Sequence, residues 1–366
     1  MLTLALVLAA CDAGWQDALN MAYADWRYYE TPLSFPDGYT LEPASFEDLE
    51  AWHGDNHIQA LKAYKRSCLL LPEEIWGNSC RAARAIKSAG YNDKAAQRFF
   101  EDYFQPHFIM SPSQTTSLFT GYYEPILNGS YSQGGTYQTP LLRRPPDLNT
   151  RVWPARTIIE EAIAAQAPEV RDLAFVWVDD PVAAFFLHIQ GSGRVRLEGG
   201  EEIRVAFEGK TGRPYTPIGR VLVARGALEK EKVSMQSIRA WLKAHPDKAA
   251  SVMAENEAYI FFRPEALKPD DTGPVGAAGV PLIPERSLAV DQSVFSLGVP
   301  LWVETQVSVP GGGQHLWRRL MVAQDTGSAI RGVVRGDIFF GFGDEAAFRA
   351  GKMSAPGRLA ILLPVQ

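Results

Sequence analysis

The chain has 366 residues, 46% of them hydrophobic, and a formal net charge of −6. This length suffices for two or three packed domains. The mild acidity and the lack of a basic block argue against nucleic acid as the main partner.

The chain begins with an apolar stretch, residues 1–10, that is too short to span a bilayer and leads directly into Cys11. Residues 8–11, LAAC, resemble the bacterial lipoprotein signal, in which a peptidase cuts before the cysteine and the thiol carries lipid. The usual basic segment is missing, so a frayed hydrophobic end is the alternative. We expect residues 1–10 to be a signal peptide and Cys11 to carry the membrane anchor.

Residues 11–40 have no sustained period and are predicted to be a tether, whereas residues 41–105 are predicted to be helical. Ser45 is a candidate N-cap for the segment SFEDLEAW, which has acids in its first turn. Apolar residues recur at helical spacing in three further segments: HIQALKAYKRSCLLL, LPEEIWGNSCRAARAIKSAG and NDKAAQRFFEDYF.

Two cysteines of the helical part, Cys68 and Cys80, lie twelve residues apart. An exported domain folds under oxidising conditions, so we expect these two residues to form a disulfide. The alternative is a pair of buried thiols.

From residue 115 the pattern changes to short strands between turn residues, beginning with TTSLFTGYYEPIL. Residues 126–232 hold short strands, including those of LAFVWVDDPVAAFFLHIQGSGRVRLEGG, and one helical piece, RTIIEEAIAAQAP. An amphipathic helix, SMQSIRAWLKAHP, stops at Pro246, and strand character then returns.

This order predicts a small β domain, residues 126–232, inserted into a domain made of residues 41–125 and 233–366. Such an insertion brings residues 115–125 beside residues 259–363 and creates a cleft between the domains, where ligands commonly bind.

Two aspartates, Asp325 and Asp337, each follow a short apolar run in LMVAQDTGSAIRGVVRGDIFFGFG, residues 320–343. A carboxyl group at the end of an apolar strand is partly desolvated, which raises its pKa and suits it to act as an acid or base. The alternative is two ordinary turn residues that cap backbone N–H groups.

Other site chemistries fit the sequence less well. Residues 325–328 spell the D-T-G-S of aspartic proteases, but the second D-T-G, at Asp271, lies in a loop pattern before Pro274. His53 and His57 lack the glutamate of the H-E-x-x-H motif, so we expect no metal site.

Cleavage of a glycan is the chemistry that the acidic residues favour. A hydrolase uses two carboxylates. A transglycosylase that closes the sugar on itself needs one, because the substrate's own hydroxyl is held at high effective concentration. The expected acidic group and its neighbours are Asp337, Asp325, Asp291, Gln190, Tyr122 and Tyr259.

Several separated segments resemble the MltA family of membrane-bound lytic murein transglycosylases, from about residue 40 to the C-terminus. They are FTGYYEP, FFLHIQGSGRVRLEGG, YTPIGR, NEAYIFFR, GVPLIPERSLAVD, LGVPLWVET and QDTGSAIRGVVRGDIFFGFG. The C-terminal part also resembles the 3D domain, named for three aspartates, here Asp291, Asp325 and Asp337.

The resemblance implies a mainly β fold with α-helices: a double-psi β-barrel, an inserted smaller β domain, an N-terminal helical segment and a long groove. It implies cleavage of the MurNAc–GlcNAc β-1,4 bond of peptidoglycan, leaving 1,6-anhydroMurNAc. The family's D-I-[YF]-x-G motif places the catalytic aspartate at Asp337, and D-x-G-[GS]-A-I makes Asp325 the supporting carboxylate. Ser328 stands where the second glycine of that motif is usual.

The resemblance implies no cofactor. We expect a monomer, anchored through Cys11 and facing the periplasm, on the outer membrane in preference to the inner one, although Asp12 resembles an inner-membrane retention signal. A two-aspartate β-1,4-glycan hydrolase and a non-catalytic peptidoglycan-binding lipoprotein are the alternatives. The expected substrate-binding residues are Thr120, Tyr122, Gln190, Gly191, Ser192, Tyr259 and Asp291.

Overall fold

The computed structural model describes residues 35, 38–86, 92–110, 117–268, 272–309 and 311–365. The predicted signal peptide, Cys11 and Asp271 lie outside the described residues. Within these ranges, no helix is both long enough and apolar enough to cross a membrane.

The larger of two sheets carries both aspartates of the predicted site. Its strands are β1 Thr40–Pro43, β2 Phe104–Met110, β3 Leu118–Glu124, β10 Ser287–Ala289, β11 Pro300–Ser308, β12 Gln314–Asp325, β13 Arg335–Phe342, β14 Ser354–Ala355 and β15 Arg358–Pro364. Their spatial order is β1-β2-β15-β11-β12-β10-β13-β3-β14. β10 runs parallel to β12 and β13 runs parallel to β3, whereas the other neighbours are antiparallel.

The middle of this sheet is buried on both faces, which explains its sequence. Residues 320–324 of β12 are all buried, as are residues 338–340 of β13. Strands covered on both faces are apolar without alternation. In the described part of the chain the strand order has two ends, β1 and β14, so these pairings by themselves do not define a closed barrel.

Three helices cover one side of the larger sheet: α1 His57–Ser67, α2 Glu73–Ala85 and α3 Asp93–Tyr103. Asn56 and Asn92 cap α1 and α3 by accepting hydrogen bonds from Gln59 N and Ala95 N. A disulfide joins Cys68, at the end of α1, to Cys80 in α2.

The helix predicted after Ser45 is wrong, because two separate 3₁₀ turns, Phe46–Asp48 and Trp52–Gly54, form there instead. The Asp48 carboxylate accepts hydrogen bonds from Ser45 N and Oγ at 2.8 Å. Leu49 then adopts an extended backbone conformation and its side chain is buried in the core, so the first turn ends there.

The smaller sheet has six strands in the order β5-β6-β4-β7-β8-β9. They are β4 Ile126–Ser130, β5 Thr139–Leu142, β6 Ala174–Val178, β7 Gly193–Leu197, β8 Glu202–Lys210 and β9 Ile260–Ala266. Because β9 pairs along β8, the smaller unit reaches residue 266, and the boundary expected at residue 232 falls short. The helical pattern of the residues between β8 and β9 does not indicate that the chain returns to the smaller sheet after residue 254.

The remaining helices are α4 Arg156–Ala164, α5 Pro168–Arg171, α6 Pro181–Gln190, α7 Ile218–Ala224, α8 Met235–Ala244, α9 Pro246–Ala254 and α10 Asp344–Lys352. Helix α6 corrects the prediction of strands in this region. Asp180 caps it through Val182 N and Ala183 N, Pro181 occupies its first turn, and Gly191 ends it in the left-handed conformation. Its apolar residues pack against α7, α8 and α9 in one core cluster.

The chain crosses between the sheets at the end of β3, beside a buried ion cluster. Glu124 is fully buried and accepts hydrogen bonds from Arg204 Nε at 2.6 Å and Nη2 at 3.0 Å. Arg194 lies 3.5 Å from the same carboxylate. Both arginines belong to the smaller sheet, so the cluster fixes the larger sheet to the smaller one.

Candidate functional site

Four residues form a row across four adjacent strands of the larger sheet. Ala289 pairs with Asp325 on one side and with Asp337 on the other, and Asp337 pairs with Thr120. Since neighbouring strands lie about 4.8 Å apart, the two aspartate backbones are separated by roughly 10 Å. The small side chain of Ala289 leaves the space between the carboxylates open.

A β-bulge brings Asp325 into this row. Leu288 pairs with Ala323 but Ala289 pairs with Asp325, so Gln324 is the extra residue. The buried Gln324 side chain bonds Ala63 O and the hydroxyls of Ser67 and Ser287 on the other face. The bulge therefore turns Asp325 toward the side that holds Asp337.

Both carboxylate oxygens of Asp325 accept hydrogen bonds from the protein. The Tyr122 hydroxyl donates to Oδ2 at 2.7 Å, and the Ala277 backbone N–H donates to Oδ1 at 3.0 Å. The loop before Ala277 approaches so closely that a Cβ at Gly276 would lie 2.7 Å from Gln324 O and 3.3 Å from Asp325 Cγ. Asp325 is thus an oriented acceptor.

Only one carboxylate oxygen of Asp337 accepts a hydrogen bond from the described residues. The Thr120 hydroxyl donates to Asp337 Oδ1, and Arg335 Nη2 donates to Thr120 Oγ1 at 2.8 Å. Because Arg335 occupies an acceptor position of the hydroxyl, the hydroxyl hydrogen is directed at Asp337. No donor in the described ranges bonds Oδ2 of Asp337, so this oxygen is available to a ligand.

Burial raises the pKa of both carboxyl groups. At Asp337, burial is the largest cause, the charge of Asp325 adds to it, and the Arg335 charge and Thr120 hydroxyl oppose it. At Asp325, burial outweighs the hydrogen bonds from Tyr122, Ala277 and the Thr326 backbone, which lower the pKa. Each group therefore keeps its proton to a higher pH than an exposed aspartic acid.

A cavity of about 550 Å³ lies over the row, between the two sheets. Walls from the larger sheet include Thr120, Tyr122, Asp325, Arg335 and Asp337. The smaller unit contributes the end of α6, the segment after β8 and residues before β9. Those wall residues are His188, Ile189, Gln190, Lys210, Thr211, Gly212, Arg213, Pro214, Tyr215, Asn256, Ala258 and Ile260.

Five predicted site residues line this cavity: Asp337, Asp325, Thr120, Tyr122 and Gln190. Gln190 is oriented by its carbonyl oxygen, which accepts a hydrogen bond from Tyr123 N at 3.0 Å.

Four predicted substrate-binding residues are not brought to the cavity wall. Gly191 ends α6, Ser192 is buried behind it, and Tyr259 is buried against the His188 ring, with centroids 4.3 Å apart. Ser192 and Tyr259 are thus buried beside the wall, whereas Gly191 is partly exposed. Motif position placed them near the groove but did not indicate which way each side chain points.

Asp291, the fourth of these residues, organises the loop between β12 and β13. Its carboxylate accepts hydrogen bonds from Ser293 N and Oγ, from Gly332 N at 2.8 Å and from Arg331 at 3.2 Å. Burial alone would raise the pKa of Asp291, but the bonds from Gly332, Ser293 and Arg331 together hold it below its usual range. Asp291 is an ionised anchor for the loop that follows Asp325.

Sequence reasoning assigned no role to Tyr215 and Arg335, which both line the cavity. Burial and the nearby charge of Asp337 raise the pKa of Tyr215. The signal for Tyr215 was its place in the YTPIGR segment, and the signal for Arg335 was its position two residues before Asp337.

The described residues contain no cluster of three or more metal-ligating side chains. His53 is exposed and bonds Glu47 and Gln97, whereas His57 is fully buried against the Trp52 ring. The two histidines serve separate structural contacts.

Comparisons with known proteins agree on one family. A model described as the MltA specific insert domain matches residues 118–263, and a 3D domain model matches residues 286–363. Membrane-bound lytic murein transglycosylase A of Escherichia coli is 31% identical over 296 residues, covering 79% of this chain and 77% of that protein.

Solved structures give the same result. A membrane-bound lytic murein transglycosylase from Agrobacterium tumefaciens superposes with a TM-score of 0.77 at 31% identity, over 89% of this chain and 98% of that one. The E. coli MltA structure with bound chitohexaose superposes with a TM-score of 0.70 at 25% identity, over 92% of this chain and 97% of that one.

Proposed function

The chain belongs to the MltA family, and from this premise we propose that it is a peptidoglycan lytic transglycosylase. It cleaves the β-1,4 bond between MurNAc and GlcNAc and leaves a 1,6-anhydroMurNAc end. Glycan strands occupy the cavity over the aspartate row, a role supported by the relative that was crystallised with chitohexaose.

Asp337 is the single acid and base of the proposed reaction. In its protonated form, the free carboxyl oxygen donates to the glycosidic oxygen as the C1–O bond breaks. Positive character develops on the MurNAc ring. The Asp337 carboxylate then takes the proton of the C6 hydroxyl while that oxygen attacks C1, so the proton count balances and no water is consumed.

Asp325 supports this cycle without exchanging a proton. Its oxygens are held by Tyr122 and Ala277. As a fixed negative charge it raises the pKa of Asp337 and stabilises positive character on the sugar. The single observation that carries this assignment is the difference between the two carboxylates: one is fully bonded, and one has an oxygen free toward the cavity.

One observation favours a second candidate, a β-1,4-glycan hydrolase. The backbones of Asp325 and Asp337 lie two strands apart, roughly 10 Å, and inverting hydrolases hold their carboxyl groups far enough apart to admit a water molecule. In that reaction Asp325 activates water, which requires its oxygens to give up the bonds from Tyr122 and Ala277.

Mass spectrometry of digested peptidoglycan tests the proposal. Wild type is expected to release anhydro-muropeptides, and Asp337→Asn to lose at least about 1,000-fold in rate, since the acid and base are the same group. Asp247→Asn, an exposed aspartate on α9, is the matched control and keeps full activity. Reducing-end products would support the hydrolase, and glycan binding without any product would leave a binding protein.

We further propose the finer features that the sequence predicts. The larger sheet is a double-psi barrel, which its parallel pairings within a mixed sheet support. The protein is a monomer anchored through lipid on Cys11 and faces the periplasm, with the outer membrane preferred. The LAAC segment and the membrane-bound relatives support the anchor.

A further inference from the structure

A second cavity, of about 330 Å³, adjoins the cavity that lies over the aspartate row. The two cavities share four wall residues: Gly121, Ile189, Gln190 and Tyr215. Gly121 lies between Thr120, which donates a hydrogen bond to Asp337, and Tyr122, which donates one to Asp325. A group attached to a sugar beside Asp337 therefore has a short path into this second space.

The wall of the second cavity is mostly aliphatic. Ile218 of α7, Val233 and Met235 at the start of α8, and Met353 after α10 contribute to it. A sugar ring needs a polar partner for each hydroxyl that leaves water. Residues with polar side chains are the minority of this wall, so it suits methyl-bearing groups better than another sugar.

Two cations border the same cavity. Arg220 and Lys352 are exposed, and neither forms an ion pair with any described carboxylate. Lys352 Nζ lies 5.3 Å from the centroid of the Phe348 ring. Among the described residues, no aspartate or glutamate lines the cavity. The charge at its rim is thus complementary to a carboxylate.

We propose that the second cavity binds the peptide stem that peptidoglycan carries on the lactyl ether of MurNAc. The lactyl and alanyl methyl groups pack on the aliphatic wall, and the free carboxylates of the stem meet Arg220 and Lys352. This inference rests on the proposed cleavage of peptidoglycan and adds a preference for strands that still carry their peptides.

The test compares two substrates: peptide-bearing glycan strands, and the same strands after an amidase has removed the peptides. Wild type is expected to show the higher kcat/KM on peptide-bearing strands. The double variant Arg220→Gln with Lys352→Gln is expected to lose about fivefold on that substrate, as two exposed charge contacts would contribute. On stripped strands it should remain within about twofold of wild type.

Lys248→Gln on α9 is the control, because it removes another exposed charge, one that lines neither of the two adjoining cavities. Equal losses on both substrates, or no loss on either, would overturn the peptide site while leaving the transglycosylase proposal intact.

A binding measurement decides the inference if the wild type cleaves neither substrate. Calorimetry with a soluble disaccharide-peptide is expected to show weaker binding to the double variant than to wild type and to Lys248→Gln. Unchanged binding in the double variant would again overturn the peptide site. Failure of cleavage alone would instead contradict the proposed function.

Discussion

At the scale of residues, the two aspartates differ by their hydrogen bonds more than by their burial. Both have raised pKa values through burial. Asp325 has both oxygens bonded, whereas Asp337 is bonded through Thr120 alone. Catalytic acids need a proton near working pH and a path to the substrate. Asp337 combines a raised pKa with a carboxyl oxygen that no described donor bonds, which makes it the better candidate for the acid.

The pH dependence of kcat/KM should report this arrangement. The proposed reaction needs protonated Asp337, so we expect activity to fall as pH rises through its raised pKa. Thr120 stabilises the ionised form. We therefore expect Thr120→Val to raise that pKa and to move the basic limb about one unit upward, the equivalent of losing a charged hydrogen bond.

Asp325→Asn is the opposing variant for the same measurement. Removing its charge takes away a cause that raises the pKa of Asp337. The basic limb of kcat/KM should therefore move to lower pH. A shift of both variants in the same direction would contradict the assignment of this limb to Asp337.

At the scale of elements, α6 carries Gln190 to the cavity over the aspartate row, and the first turn of α6 depends on one cap. Asp180 accepts hydrogen bonds from Val182 N at 2.9 Å and Ala183 N at 3.0 Å. Asp180→Ala is expected to lower the free energy of unfolding by about 1 kcal/mol. Denaturant unfolding followed by tryptophan fluorescence measures this change.

Asp179→Ala, one residue earlier, is the control for this cap. Asp179 is exposed and bonds the exposed Asn128 side chain, so its removal should change stability by less than about 0.5 kcal/mol. Equal effects of the two variants would show that the cap contributes nothing specific.

At the scale of the whole molecule, the groove depends on how the two sheets are held together. Glu124 of the larger sheet is fully buried between Arg204 and Arg194 of the smaller sheet. Glu124→Gln removes the fully buried carboxylate that Arg204 and Arg194 share, and the second carboxylate near Arg194, Glu202, lies farther away, at 3.7 Å. We expect a loss of about 3–5 kcal/mol in the free energy of unfolding, measured in denaturant.

Glu265→Gln provides the comparison. Glu265 lies on β9 opposite Arg204 of β8, but its carboxylate pairs with the partly exposed Arg263. A pair of this kind contributes about 0–1 kcal/mol. If Glu124→Gln were as mild as Glu265→Gln, the buried cluster would not be what holds the sheets together.

The sequence by itself determined the features that depend on neighbours along the chain. Apolar residues at helical spacing predicted α1, α2, α3 and α8, and short apolar runs predicted the strands that end at Asp325 and continue past Asp337. The pattern failed for α6, because an all-apolar segment has the same appearance in a buried helix and a buried strand. Asp180-Pro181 was the local signal that distinguished them.

Only the tertiary structure decided which acids face the cavity. Thr120 and Asp337 are 217 residues apart, and their contact depends on the register of β3 against β13. A one-residue change in register turns every side chain to the other face. The bulge at Gln324 and the loop anchored on Asp291 are likewise set by distant partners. The local pattern alone therefore named the three aspartates, and their different expected roles came from the resemblance to a family.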